Sequence, residues 1–271
     1  MKTRHYSHHK YKHNISNTAK TFSYFILPLS LITFIFIYFS NSSNNIFISN
    51  LFNHSNIIDT LNALLSTLYR LVTAYILAII IGIPLAMLAT KNKKIEEFLL
   101  PVFDVLESIP VLVFFPVVII FFIKMNMLNS AAIFIIFLNM LWNIVFSAIG
   151  GLKSIPKDIF YVAKAFKISG LSYFIKIILP AIFPVLVTGS ILAWAEGWNM
   201  IIVAEVLRTY VPSSIAVPDL YGIGSTLVNA STSGDTLRFI ICVFFIIFSI
   251  IILNLFVWQK LLKYSEKFKF E

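Results

Sequence analysis

The chain has 271 residues, of which 59% are hydrophobic, 15% aromatic and only 12% charged. A soluble domain carries roughly 25% charged residues, so a soluble globular enzyme, a disordered chain and a collagen-like chain are excluded, and an integral membrane protein remains. Lys and Arg outnumber Asp and Glu by 21 to 12, which in a membrane protein reports first on the orientation of loops.

Apolar runs long enough for a bilayer core of about 30 Å predict six spans in an all-α protein. They are Phe22–Phe39, Leu71–Thr90, Phe98–Ile123, Met127–Ile149, Ile177–Val206 and Phe239–Trp258. A membrane barrel is disfavoured, because it needs alternation over about ten residues rather than solid apolar blocks. The first run is too long for a signal-peptide core, and the SNSSNN after it offers no A-x-A cleavage site, so it reads as an uncleaved helix. An amphipathic stretch, IIDTLNALLSTLY, precedes the second span and reads as a helix leading into it. The third run holds Pro101, Pro110 and Pro116, which predict kinks. Asp104 and Glu107 near its start are read as interfacial or paired with Lys91, Lys93 or Lys94. Between spans four and five, AKAFKISGLSYFIKIILP alternates Lys with apolar residues at helical spacing. Gly170 interrupts it and Pro180 marks its end, which predicts two short amphipathic helices around a turn. A turn-rich segment from Thr209 to Thr236 holds one short helix near Ser225–Ala230.

Counting Lys and Arg by loop places seventeen with the two termini and the loops after spans two and four, against four on the other side: Arg70, Lys124, Arg208 and Arg238. Both termini are therefore expected in the cytoplasm. The division by segments is a basic tail (1–21), a first span with its outer segment (22–60), a transmembrane domain (61–262) and a C-terminal tail (263–271). No internal repeat is found.

No phosphate-binding loop, zinc-peptidase motif, C-x-x-C or nucleophile elbow occurs, so neither ATP hydrolysis nor other catalysis is expected of this chain itself, and no metal site. His5, His8, His9 and His13 lie in a basic tail that reinforces orientation, with loose metal binding or contact with anionic lipid as alternatives. Cys242 is the single cysteine and reads as a small core residue.

Polar residues inside spans are functional suspects. Glu196 and Glu205 are nine residues apart, which at about 100° per residue puts them on opposite faces of an unbroken helix, unless Gly197 breaks it. They are either solvated at the outer interface or part of the mouth or gate of a pathway. Trp194 and Trp198 are aromatic-belt residues or, with Asn199, belong to the same pathway. Asn139 and Asn143, four apart on span four, share one face and either bond a neighbouring helix or line the pathway.

The segment PKDIFYVAKAFKISGLSYFIKIILPAIFPVLVTGSI resembles the EAA loop of ABC importer permeases, the membrane subunits that work with a binding protein. Anchored on Ile177, Leu179 and Pro180, the family's E-A-A falls on Tyr161, Val162 and Ala163, and its Gly on Lys167. GIPLAMLAT resembles the family's G-I-P-L-G segment, and ESIPVLVFFPVVIIFF its proline-containing helix. AWAEGWNMIIVAEVL with YGIGSTLVNASTSGD resembles the nitrate, sulfonate and taurine branch, whose copies are often fused in tandem. The resemblance spans Leu61 to Leu262. It implies a coupling helix that docks on a separate ATPase, drawing on Ala163, Lys164, Ala165, Phe166, Lys167, Ser169, Gly170, Leu171 and Pro180. It further implies a second permease copy, an extracytoplasmic binding protein, and a small anionic solute such as nitrate, a sulfonate, taurine or bicarbonate. ATP would be bound by the partner subunit, with no cofactor here, and the site of action would be a prokaryotic inner membrane. A secondary ion-coupled transporter and a membrane-embedded enzyme are the competing readings.

Overall fold

A computed structural model of the chain describes residue 30 and residues 54–210 and 218–268. Apart from residue 30, the expected span Phe22–Phe39 lies outside the described residues, as do the histidine-bearing tail and residues 269–271. Among the described residues all regular structure is helical. Four helical stretches are long and apolar enough to cross a bilayer: Ile57–Ala89, Leu128–Lys153, Gly170–Glu205 and Thr236–Phe268.

Helix α1, His54–Ala89, is continuous over 36 residues, which joins the expected amphipathic lead-in and the second span into one rod. Helix α2, Lys93–Ser108, begins where the Asn92 side chain accepts a hydrogen bond from the Ile95 amide at 2.9 Å, a standard N-cap. It ends at Ile109, which is extended (φ −76°, ψ 119°) because a residue before proline is kept out of the helical region. A 3₁₀ turn, Val111–Phe114, then leads into α3, Phe115–Lys124. The two arms meet at 77°. The expected single kinked span is thus a sharply broken pair, and the break falls on Pro110 alone. Pro101 stays inside α2, and Pro116 sits in the first turn of α3, where no amide hydrogen bond is lost.

Helix α4, Leu128–Lys153, is the centre of the molecule, with Ile135, Ile136, Met140 and Ile144 buried almost completely. It lies between α1 and α7, the long helix Leu179–Glu205. Close approach there depends on small residues, as expected between helices in lipid. A Cβ on Gly189 would meet the Ser147 side chain, and one on Gly197 would meet Met140. Gly197 therefore does not break α7; it lets α4 come near.

Between α4 and α7 lie α5, Lys157–Ala165, a turn, and α6, Gly170–Tyr173, which runs through a π turn at Phe174–Ile178 into α7. The chain continues through α8, Ile223–Ser233, and α9, Thr236–Leu253, then a second π turn, Asn254–Trp258, and α10, Gln259–Ser265. Asp235 caps α9 by accepting from the Arg238 amide at 3.0 Å. Asp104 and Glu107 are exposed. The acidic residues that meet lysines here are Glu97, with Lys93, and Glu96, whose carboxylate lies 2.5 Å from Lys153 Nζ and ties the start of α2 to the end of α4. Cys242 is buried in the core, as expected.

Candidate functional site

The loop after α4 has the expected form of two short helices around a turn. The amide of Ile168 donates to the Ala163 carbonyl at 3.0 Å, and that of Lys167 to Lys164 at 3.1 Å. This is the Schellman pattern, which needs a left-handed residue just past the helix. Lys167 supplies it with φ 52°, at a position where glycine would be unstrained. Gly170 adds a second positive φ of 60°. The turn points apolar side chains away from the body: Phe166 is 75% and Leu171 73% exposed, with Tyr161 and Val162 beside them. Of the expected docking residues, Lys164, Ala165, Lys167, Ser169 and Gly170 are exposed too, whereas Ala163 is buried. Pro180 is half-buried at the start of α7.

The candidates on α7 divide into two sets. Glu196 and Asn199 are exposed and three residues apart, hence on one face. Asn139 on α4 reaches this face, its side-chain amide donating to the Glu196 carbonyl at 3.1 Å and to its carboxylate at 3.4 Å. Asn143, one turn further along α4, and Trp198 are half-buried. Together they form a polar strip along the α4–α7 groove. Trp194 and Glu205, eleven residues apart and so within about 20° of each other around the helix, occupy the opposite, buried face. Trp194 packs against Tyr75 and Trp258 with ring centroids at 5.8 and 6.0 Å, and Tyr75 donates a 2.7 Å hydrogen bond to the Ser190 hydroxyl.

Glu205 is completely buried. Its Oε1 accepts from Thr67 Oγ1 and from Arg70 Nη1, both at 2.6 Å. Its Oε2 accepts from the backbone amide of Gly224 at 2.8 Å, at the start of α8. An anion is favoured there, because the first amides of a helix have no partners within it. Each remaining guanidinium nitrogen of Arg70 also donates: Nε to Asn129 on α4 at 2.6 Å and Nη2 to the Tyr221 carbonyl at 2.9 Å. The Ile223 amide donates to Thr67 at 2.9 Å. A Cβ on Gly222 would run into the Glu205 carboxylate, and one on Gly224 would press on Ile201 and Ile202. The G-I-G string is therefore a cradle for one side chain. Four helices meet at this pair, and it can pin the segment between α7 and α8 but offers neither a free nucleophile nor a general base. Among the described residues no three metal-ligating side chains converge.

Sequence reasoning missed Thr67, Arg70, Asn129, Gly222 and Gly224. Arg70 entered only as a basic residue on the less basic side. The available signal was its place between Tyr69 and Leu71 in an apolar helix, where a charge requires a partner of opposite sign.

Residues 78–261 match the family described as "Binding-protein-dependent transport system inner membrane component". Among similar proteins, a nitrate import permease protein (NrtB) of Leptolyngbya laminosa is 34% identical over 160 residues, covering 59% of this chain and 56% of that protein. A bicarbonate transport system permease protein (CmpB) of Synechococcus elongatus is 32% identical over 145 residues, covering 54% and 51%. A taurine transport system permease protein (TauC) of Escherichia coli is 24% identical over 144 residues, covering 53% and 51%. The matches thus span little more than half the length of these relatives. The family match takes in α4, the exposed turn, the polar strip and the Glu205 cradle together, and the chain belongs to the family of binding-protein-dependent transport system inner membrane components.

Proposed function

We propose that this chain is the permease subunit of an ATP-driven importer for a small anion of the nitrate, bicarbonate, sulfonate or taurine kind. It works as one of two permease copies, with a separate ATPase and an extracytoplasmic binding protein. ATP is bound and hydrolysed by the partner, and this chain contributes movement. The observation that carries the reading is the exposed apolar tip formed by Phe166 and Leu171 on a lysine-rich hairpin, at the place where the family's ATPase-docking loop falls. An apolar knob at a membrane protein's aqueous edge marks a protein contact. Six spans with both termini in the cytoplasm complete this topology, and the hairpin then faces the cytoplasmic ATPase.

In this reading Asn139, Asn143, Glu196 and Asn199, with Trp198 beside them, face the translocation pathway. A carboxylate and amides left exposed on a long apolar helix are costly against lipid and favourable against a water-filled cavity or a second copy. Trp194 and Glu205 hold α7 from behind. When the ATPases close, α5 moves, and the rigid run from α6 through α7 transmits that motion to the Glu205 end as one bistable unit.

The test is affinity purification of the tagged full chain in mild detergent, followed by mass spectrometry of what accompanies it. The expected result is recovery of an ATP-binding subunit, lost when Ala165 and Phe166 are both changed to Asp. A homo-oligomer without an ATPase, under conditions where a control importer stays intact, overturns the proposal.

A further inference from the structure

A cavity of about 360 Å³ lies where the docking hairpin, the start of α7 and the 3₁₀ turn Glu266–Phe268 that follows α10 converge, a size within the roughly 300–1,000 Å³ range of small-ligand sites. Its floor is apolar, made by Ile159 of α5, Ile177 and Pro180 at the entry to α7, and Phe268. Two ammonium groups flank it from separate segments: Lys176, carried on the π turn, and Lys267, held 5.1 Å over the Tyr264 ring. Among the described residues no carboxylate lines it. Tyr264 and Phe268 pack edge-on against Phe183 of α7, at 5.9 and 5.7 Å, so the C-terminal side of the cavity is braced against the bundle.

An apolar floor flanked by two positive charges is complementary to an anionic head attached to a hydrocarbon tail. We infer that this cavity binds an anionic phospholipid, the phosphate between Lys176 and Lys267 and the first acyl carbons on Ile177, Pro180 and Phe268. Basic pockets between helices at a membrane boundary recognise acidic headgroups in this way, each lysine contributing through proximity to the phosphate. Because Ile159 belongs to α5, a lipid held there joins the docking hairpin to the 3₁₀ turn after α10 and restrains how far the hairpin can swing. Placing the cavity in the cytoplasmic leaflet rests on the topology proposed above; the lipid chemistry does not.

The purified full chain, in detergent with stepwise phosphatidylglycerol or phosphatidylcholine, is read by native mass spectrometry. Wild type is expected to retain phosphatidylglycerol on the order of tenfold better than the Lys176→Gln/Lys267→Gln variant, with phosphatidylcholine retained equally and weakly by both. The Lys176→Arg/Lys267→Arg variant, which keeps the charge, is expected to behave as wild type. Equal phosphatidylglycerol retention by wild type and the Gln variant overturns the inference. Displacement of the lipid by millimolar inorganic phosphate also overturns it, in favour of a free-anion site. Neither outcome depends on recovery of an ATPase, so failure here and failure of the importer reading are separately visible.

Discussion

Arg70 and Glu205 stand 135 residues apart in the chain, and their side chains meet at 2.6 Å with almost no access to solvent. A buried pair of this kind matters most when it is broken. Removing one partner leaves an uncompensated charge, at a cost of about 3–5 kcal/mol. Glu205→Leu and Arg70→Met are each expected to lower the midpoint of thermal unfolding in detergent, whereas the double change to Leu and Met recovers much of the loss. Double-mutant-cycle additivity, with the two losses simply summing, would remove the pair from its place as the joint of α1, α4, α7 and α8.

Gly222→Ala acts on the same joint from the other side. The added methyl meets the Glu205 carboxylate, and overpacking of this kind costs about 1–3 kcal/mol. Gly150→Ala, where a Cβ meets nothing, is the matched control and, lying inside α4, is expected to keep the unfolding midpoint or raise it slightly. A Gly222→Ala protein as stable as the Gly150→Ala one would show that the cradle is not tight.

At the turn between α5 and α6 the expectation is a gain. Lys167 holds a left-handed conformation that costs a residue with a side chain roughly 1–2 kcal/mol. Lys167→Gly removes that cost, and the amide of Ile168, bonded back to Ala163, is expected to exchange with deuterium several-fold more slowly. Faster exchange would mean that the lysine side chain contributes more to the turn than its backbone strain takes away.

The polar strip separates function from stability. Glu196→Gln alters an exposed group, for which stability changes stay within about 0.5 kcal/mol, whereas Asn139→Ala, at a half-buried position, also gives up its hydrogen bonds to Glu196, worth about 1 kcal/mol each. Both are expected to slow uptake of labelled substrate anion in liposomes that contain the assembled importer and its binding protein. Unchanged uptake, with unchanged unfolding, would remove the strip from the pathway.

The sequence was most informative where the pattern was local and periodic. Long apolar blocks revealed the helices, the lysine-alternating segment revealed the hairpin, and the nine-residue spacing of Glu196 and Glu205 placed them on opposite faces, as the continuous α7 confirms. It was least informative where partners are distant. Nothing near Glu205 in the chain tells that its cation lies on α1, or that Gly222 and Gly224 are small so that a carboxylate can sit between them. The proline-rich run shows the same limit. Three prolines predicted bending, but which one breaks the helix depends on whether its missing amide falls in a first turn, inside a helix, or at an extended residue such as Ile109.

The ion pair between Lys153 and Glu96 has a consequence for counting. It sets the end of α4 beside the start of α2, while the start of α4 lies at the far end of the molecule, where Asn129 meets Arg70. A chain that leaves Glu96, reaches Asn129 and returns to Lys153 makes a closed circuit, and a closed circuit crosses a sheet of lipid an even number of times. If α4 provides one crossing, the broken pair α2–α3 must provide the other, despite its 77° elbow. A surface contact between two side chains thus serves as a parity constraint on the topology: with α4 as one crossing, the proposed six-span arrangement requires the bent segment to supply the other.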